Sequence, residues 1–267
     1  MSETAKRGAA KAKNSAPLRG AARAGYAVNG IVHGLIGLTA VSVALGAVGE
    51  ADQSGALGQL AQAPAGMFLL WVIAIALFAL GVWQVLQSAL TWSSDIKRKW
   101  LSRLGGIGKS LAYFFVGATA LTFAQGSSTS NATSSRSLSA QLMATPGGNF
   151  VIIIIGVVAF AIGVGLIVRG LTRRFLERID LPRGRMGRPV TALGVIGYTL
   201  EGVALCAVGV LFWIAAATVD PNKAGGLDGA LKALIALPFG TLIVVIIGVG
   251  FIAFGLYNVF RARFARL

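Results

Sequence analysis

The stretch VIIIIGVVAFAIGVG, residues 151–165, is apolar without a break. It lies within a longer apolar run, 148–171, which as a helix rising about 1.5 Å per residue is long enough to cross a hydrocarbon core about 30 Å thick. A strand of a membrane barrel would instead alternate apolar and polar side chains over about 10 residues. The stretch therefore predicts a transmembrane α-helix.

Five further apolar runs have a similar length. They lie at 25–48, 66–90, 104–125, 193–217 and 237–261. Of the 267 residues, 55% are hydrophobic and only 12% are charged, whereas soluble domains carry about 25% charged residues. The composition excludes an ordinary water-soluble domain, and the six runs predict an all-α membrane protein with six transmembrane helices.

Basic residues fall almost entirely on one side of these spans. Of the 24 Lys and Arg residues, 21 lie in the N-terminal segment, in the connections after the second and fourth spans, or at the C-terminus. By the positive-inside rule, both termini are predicted to be cytoplasmic in a cell inner (plasma) membrane. The net charge of +15 then reflects orientation in the lipid bilayer, with anionic lipid as a possible contact at the cytoplasmic face, and we expect no nucleic-acid partner.

The three pairs of spans share an internal repeat. Each pair has a proline before its second helix and a glycine seventeen residues after that proline. The prolines are Pro64, Pro146 and Pro238, and the glycines are Gly81, Gly163 and Gly255. The first helices of the pairs align from Gly25, Gly108 and Gly197. The glycines favour close helix crossing, with helices interrupted along a substrate path as the alternative.

The repeat predicts the domain organisation. Residues 1–24, rich in Ala, Lys and Arg, are interpreted as a flexible cytoplasmic tail, followed by units 25–92, 93–175 and 176–267. Because each unit holds two spans, all three insert with the same orientation, related by an axis near the membrane normal. We expect a six-helix bundle with approximate threefold pseudosymmetry.

The predicted outer connections contain short amphipathic stretches before their prolines. SGALGQLAQAP from Ser54 and DGALKALIALP from Asp228 each begin with a good N-cap residue and repeat leucine at helical spacing. They predict short interfacial helices on the outer face. The Ser/Thr-rich GSSTSNATSSRS from Gly126 is expected to be a mobile loop, although RSLSAQLMATP from Arg136 keeps the helical pattern.

These segments resemble a known bacterial family of integral membrane proteins, domain of unknown function 1206. The resemblance rests on GYAVNGIVHGLIG from Gly25 and on GLDGALKALIALPFGTLIVVIIGVGFIAFGLYNVFRARF from Gly226. It covers about residues 20–267 and implies three tandem two-helix units in an inner membrane. It implies no particular activity.

Polar residues within the spans are the candidate functional site. Glu201 is the only acidic residue in a predicted span, and His33 lies four residues after Asn29 on one helix face. Both Glu201 and His33 lie about 12 Å into the bilayer, so the three residues can form one polar cluster. The cluster can be a proton site or a set of interhelical hydrogen bonds. Arg169 and Arg261, at matching repeat positions, are interpreted as interfacial anchors.

Signatures of enzymes are lacking in the sequence. The sequence has no phosphate-binding loop and no HExxH motif, and it contains a single histidine and a single cysteine. We therefore expect no catalytic residue, metal site or cofactor. The first hypothesis is a non-enzymatic scaffold or accessory subunit, alone as a homo-oligomer or with a protein partner. The alternative is a small proton-coupled transporter or channel that uses Glu201 and His33.

Overall fold

A computed structural model of the chain describes residues 16–89, 96–179 and 187–265. These residues form nine α-helices and two short 3₁₀ helices, Arg174–Arg178 and Pro221–Lys223. The α-helices are α1 (Ala16–Ala44), α2 (Gln53–Gln62), α3 (Gly66–Ala89), α4 (Ile96–Ala124), α5 (Asn131–Met143), α6 (Gly148–Leu171), α7 (Gly187–Thr218), α8 (Gly226–Ile235) and α9 (Gly240–Phe264). Six of them, namely α1, α3, α4, α6, α7 and α9, are long and apolar enough to cross a membrane. The predicted all-α fold with six spans is confirmed, and the protein is a multi-pass membrane protein.

The first helix begins nine residues before the predicted span. Residues 16–24, expected to belong to the flexible tail, continue α1, and Ala22 is fully buried beside Leu80, Trp83 and Ala262. Alanine and arginine are strong helix formers, so the helix extends as far as it finds packing partners. The rest of the predicted tail, residues 1–15, lies outside the described residues.

The three short helices α2, α5 and α8 lie together at the predicted outer end of the bundle. The N-cap of α2 is Asp52, whose carboxylate accepts the Gly55 N–H at 3.1 Å, and not Ser54 as predicted. Asp228 lies in the first turn of α8 and accepts the Ala51 N–H at 2.9 Å. The predicted caps are wrong because the cap is decided by where the preceding chain turns.

The Ser/Thr-rich connection is also more ordered than predicted. From Asn131 onward it forms α5, which is capped by the Ser130 hydroxyl accepting the Thr133 N–H at 3.1 Å. Ser130 donates to Glu50 at 2.6 Å, and the Asn131 N–H donates to Ser54 at 3.0 Å. These contacts with the first unit hold the start of α5, so the helix begins at Asn131, five residues before the predicted helical pattern at Arg136.

The prolines stand at sharp turns that repeat three times. Each turn joins a short helix to a long one, through a residue with positive φ in all three cases: Ala65, Gly147 or Phe239. The long helix then begins with a glycine whose Cβ would overlap a leucine carbonyl oxygen of the preceding short helix. The pairs are Gly66 with Leu60, Gly148 with Leu142, and Gly240 with Leu234. Glycine is required here because any side chain would force the turn open.

The long helices pack in a repeating pattern of pairs. The second long helix of one unit packs along the first long helix of the next, which gives α3 with α4, α6 with α7, and α9 with α1. Helix α1 also contacts α3, and α7 contacts α9, but α4 and α6 do not pack along each other within the described residues. The six helices therefore follow the order α4, α3, α1, α9, α7, α6 around the bundle. The two long helices of the middle unit, α4 and α6, take the first and last places in this order.

Candidate functional site: an intramembrane histidine–glutamate pair

The structure brings His33 of α1 and Glu201 of α7 together. The His33 Nε2 atom lies 3.5 Å from the Glu201 Oε1 atom, and each side chain is 15% exposed. Helices α1 and α7 do not pack along each other in the described residues, and α9 packs against both. The two side chains therefore meet in the interior of the bundle, next to α9.

The proton arrangement of His33 follows from its second ring nitrogen. Nδ1 lies 2.8 Å from the backbone carbonyl oxygen of Asn29. Because a carbonyl oxygen only accepts, Nδ1 carries a hydrogen and Nε2 is left to face Glu201. The pair is then either a neutral imidazole beside a protonated carboxyl or an imidazolium beside a carboxylate. Both forms have zero net charge and differ in the position of one proton, so the two residues can share that proton.

The contact is long enough to change with small movements. N–H···O hydrogen bonds span about 2.7–3.2 Å, and the observed 3.5 Å lies just beyond this range. The Glu201 Oε2 atom is buried and has no hydrogen-bond partner among the described residues. A carboxylate oxygen without a hydrogen-bond partner in a membrane interior is costly, so the geometry favours a closer approach of His33 to Glu201.

Asn29 takes part differently from the prediction. The sequence allowed three polar residues to form one cluster. In the structure, the Asn29 backbone carbonyl orients His33, and the Asn29 side chain is buried. On the other side, the His33 ring packs against Phe254, 5.0 Å between centroids, and Phe251, 6.2 Å between centroids. The titratable pair is thus held against an apolar wall supplied by α9.

The repeat glycines lie where the long helices approach most closely. An added Cβ on Gly255 would lie 2.5 Å from the Gly30 carbonyl oxygen, and one on Gly163 would lie 2.6 Å from that of Gly202. These two contacts are equivalent in the repeat, because Gly30 and Gly202 each lie five residues after the aligned Gly25 and Gly197. The α1–α9 contact flanks His33, and the α6–α7 contact flanks Glu201.

The third repeat glycine meets a different partner. At Gly81 the added Cβ would lie 2.7 Å from the ring of Phe114. The residue of α4 that corresponds to Gly30 and Gly202 is Tyr113, so a large side chain stands where the other two pairs have glycine. All three repeat glycines therefore belong to contacts between successive units, and the contact made by the middle unit's α4 differs from the other two.

The two arginines interpreted as interfacial anchors also stack on tyrosine rings. The Arg261 guanidinium lies 4.1 Å above the Tyr26 ring and donates to the Tyr26 hydroxyl at 3.3 Å. Arg169 lies 5.3 Å from the centre of the Tyr198 ring. The sequence signal was available, because Tyr26 and Tyr198 each directly follow the aligned glycines, but only packing shows that they stack on the arginines.

The described residues hold no group of three His, Cys, Asp or Glu side chains that could bind a metal ion. What the site can do chemically is therefore carried by His33 and Glu201, which can hold, share and release a proton between two long helices.

Six long apolar helices in three two-helix units define a multi-pass integral membrane protein. The sequence profile of the Domain of Unknown Function DUF1206 matches three segments, 24–90, 104–173 and 196–265, and the chain belongs to this family. The resemblance predicted from the sequence is confirmed. The chain is also similar to the Uncharacterized protein YxxB of Bacillus subtilis (strain 168), with 29% identity over 251 residues, covering 92% of this chain and 90% of that one. No solved structure matches the chain.

Proposed function

We propose that this protein is a small proton-coupled transporter or channel whose proton site is the His33–Glu201 pair. The observation that carries the proposal is the 3.5 Å contact between His33 Nε2 and Glu201 Oε1. Ionisable residues inside transmembrane segments are costly and typically mark ion or proton pathways. Here the only histidine of the chain meets a glutamate from a helix that lies on the far side of α9.

The pair can link protonation to helix movement. With one proton shared, His33 and Glu201 attract each other and hold α1 towards α7. A second proton leaves an imidazolium beside a neutral carboxyl and removes the ion pair, which weakens this attraction. Because α1 and α7 have no backbone packing along each other in the described residues, the pair supplies a direct tie between them. Protonation would then favour separation of the two helices.

Proton flux in liposomes tests the proposal. The full chain is reconstituted into vesicles that contain a pH-sensitive dye, and a potassium diffusion potential is imposed with valinomycin. We expect faster acidification than in protein-free vesicles, and loss of at least about nine-tenths of that excess in Glu201→Gln, about 1.4 kcal/mol in the barrier. Glu177→Gln, at an exposed position, is the matched control and should retain wild-type flux.

Two results would contradict this function. One is wild-type flux equal to that of protein-free vesicles across pH 5 to 8. The other is equal flux in Glu201→Gln and Glu177→Gln when both variants elute as single monodisperse species. His33→Gln gives an independent check, since it removes the second proton carrier while leaving Glu201 in place.

We also propose the orientation predicted from the charge distribution, in a bacterial plasma membrane with both termini cytoplasmic. The relative from Bacillus subtilis supports a bacterial setting, and the concentration of basic residues at one end supports the orientation. Single cysteines test it in a Cys206→Ala background. A membrane-impermeant maleimide should label Ser137→Cys in intact cells, and Thr172→Cys only after lysis; the reverse pattern would invert the topology.

A second candidate is the non-enzymatic scaffold or accessory subunit. It is favoured by α6, where only 17% of the most apolar window is buried within the chain. A protein partner or a second copy could cover this face in place of lipid. Purification in a mild detergent tests this: recovery of a single monomeric chain, with no partner in native mass spectrometry, counts against the scaffold and leaves proton coupling unaffected.

A further inference from the structure

The predicted cytoplasmic half of the bundle collects all of the chain's tyrosines. The chain has four tyrosines, and all of them lie close enough to Arg261 to interact with it electrostatically. Tyr257 is also close to Arg169. We call these six residues the arginine–tyrosine layer; they are Tyr26, Tyr113, Tyr198, Tyr257, Arg169 and Arg261. The layer adjoins the His33–Glu201 pair, since Tyr113 also interacts electrostatically with Glu201, but anion binding by the two arginines does not require proton coupling.

The two arginines are poorly compensated. Within the described residues, neither Arg169 nor Arg261 has a carboxylate oxygen within 4.0 Å. The polar partner of Arg261 is the Tyr26 hydroxyl, and the Arg169 Nε atom is buried with no hydrogen-bond partner. Since each guanidinium has five N–H donors and burying an unpaired charge is costly, both groups favour an anion beside them.

A third unpaired group lies next to Arg169. The Thr199 Oγ1 atom is buried without a hydrogen-bond partner in the described structure, and a Cβ added to Gly170 would lie 2.8 Å from it. Gly170 follows Arg169 in α6, so the free hydroxyl and the free Nε–H lie at the same level of the α6–α7 contact. Stacking on Tyr198 explains the position of the guanidinium, but it leaves both of these donors unused.

The arrangement is repeated, which argues against an accident of packing at one position. Arg169 and Arg261 each lie twenty-three residues after a repeat proline, and each faces the tyrosine that follows an aligned glycine of the next unit. At the third contact the same two positions hold Gln87 and Lys109. Each contact between units therefore places one cationic side chain at this level, whichever helix supplies it.

We propose that the arginine–tyrosine layer binds the phosphate group of an anionic ligand. Arginine recognises phosphate through paired N–H donors, and neighbouring hydroxyls can donate to the remaining oxygens. Arg169 and Arg261 lie two and three residues before the ends of α6 and α9, about 3 to 5 Å along the axis. At the predicted cytoplasmic ends of two spans, such positions favour contact with lipid headgroups. The phosphate can come from a membrane phospholipid or from a soluble phosphate, and the two sources have distinct tests.

The first test measures lipid binding to the purified full chain by native mass spectrometry. Phosphatidylglycerol and phosphatidylcholine are titrated separately. We expect the wild type to prefer phosphatidylglycerol, and Arg169→Gln and Arg261→Gln each to weaken that binding about tenfold, equivalent to about 1.4 kcal/mol. Arg173→Gln and Arg263→Gln are matched controls, since both arginines are exposed at the same helix ends, and should stay within about twofold of wild type.

The second test measures how inorganic phosphate changes the unfolding temperature of the protein in nanodiscs whose only lipid is phosphatidylcholine. If the ligand is soluble, phosphate raises the unfolding temperature of the wild type and of both controls, but not of Arg169→Gln or Arg261→Gln. Lipid binding without this effect assigns the site to a phospholipid. The proposal is overturned if neither probe separates Arg169→Gln and Arg261→Gln from their controls.

Thr199→Val keeps the test decisive if an arginine variant does not fold. If the hydroxyl has no ligand, replacing an unpaired buried hydroxyl by a methyl group should leave the chain as stable or more stable and leave phosphate binding unchanged. If the hydroxyl contacts phosphate, binding of the effective probe should fall several-fold in a chain that is still folded. Unchanged binding in Thr199→Val, together with unfolded arginine variants, would leave the layer a purely structural clamp and refute the proposal.

Discussion

The helices α6 and α9 occupy equivalent positions in the repeat, yet they have opposite environments. Helix α6, the more apolar of the two, packs along α7, and 17% of its most apolar 18-residue stretch is buried within the chain. Helix α9 packs along both α1 and α7, and 56% of its corresponding stretch is buried. Its inward face carries Tyr257 and Asn258, whereas α6 presents Gly156 and Gly163 to α7. The apolarity of a long helix therefore indicates that it spans the membrane. Its small and polar residues indicate where it packs against neighbouring helices.

The middle unit also differs from the flanking units in how its two long helices pack. Its two long helices, α4 and α6, lie at the two ends of the helix order and do not pack along each other in the described residues. The first and third units meet through α1 and α9, and this contact holds His33 beside Phe254. The candidate proton site is therefore built from the outer two units of the sequence, which the fold places at the centre.

The largest expected effect comes from a matched pair of isoleucines. Ile247 of α9 and Ile155 of α6 each lie nine residues after a repeat proline, but Ile247 is fully buried and Ile155 is 39% exposed. Ile247→Ala should lower the free energy of unfolding by about 2–5 kcal/mol because it leaves a cavity. Ile155→Ala should cost under about 1 kcal/mol, since surrounding lipid or detergent fills the space. Reversible unfolding in mixed micelles measures both losses, and equal losses would contradict the different burial of α6 and α9.

A matched pair of glycines should give the next effect. Gly255→Ala places a Cβ against the Gly30 carbonyl oxygen and separates α9 from α1, whereas Gly165 of α6 has nothing within 4 Å of an added Cβ. We expect Gly255→Ala to destabilise the protein by about 1–3 kcal/mol and Gly165→Ala to be neutral or slightly stabilising. Thermal unfolding followed by size-exclusion chromatography distinguishes them. A neutral Gly255→Ala would show that the α1–α9 contact has slack.

The caps of α2 and α5 should show the smallest effect. Asp52 and Ser130 both cap a short helix, so Asp52→Ala and Ser130→Ala should each cost about 1 kcal/mol. Asp52 also adds a pH dependence: burial raises the pKa of its carboxyl above the ordinary 3.8, with Glu50 and Asp228 acting in the same direction. The folded state then binds this proton more tightly than the unfolded state does, so its contribution to stability falls as pH rises from about 3.8 through the raised pKa.

Asp52→Asn isolates that contribution, because asparagine keeps the cap and removes the charge. The difference in unfolding temperature between Asp52→Asn and wild type should grow in favour of the variant from pH 3 to pH 7. A wild type that gains stability relative to Asp52→Asn as pH rises would contradict the raised pKa.

Much of the fold follows from the sequence because membrane insertion is a local property. A run such as 148–171 is apolar enough to become a span in any arrangement of its neighbours, and the predicted bounds agree with α6. The repeat prolines and the glycines two residues after them mark turns whose geometry is set within about ten residues of chain. The predicted caps Ser54 and Asp228 were wrong because the preceding chain turns earlier, so the two helices begin at Gln53 and Gly226. The Asp228 carboxylate accepts the Ala51 N–H of another unit instead.

The candidate site was only partly predictable. Helical spacing placed Asn29 and His33 on one face, and the depth of Glu201 matched that of His33, but neither observation shows that α7 faces α1 across α9. The arginine–tyrosine layer was missed because a single helix end rich in basic residues is explained by the membrane interface alone. The ring of Tyr26 under Arg261 becomes visible only when the last helix of the chain packs along the first.

By itself, the sequence determined the number of spans, the threefold repeat, the turns at the prolines and the family to which the chain belongs. Each of these depends on hydrophobicity or on local backbone geometry, and both are properties of short segments. Only the tertiary structure decided which helix is central, which glycines touch, and that His33 meets Glu201. These features include contacts between residues that are more than one hundred positions apart in the sequence. They therefore depend on which of the six similar apolar helices pack closely against each other.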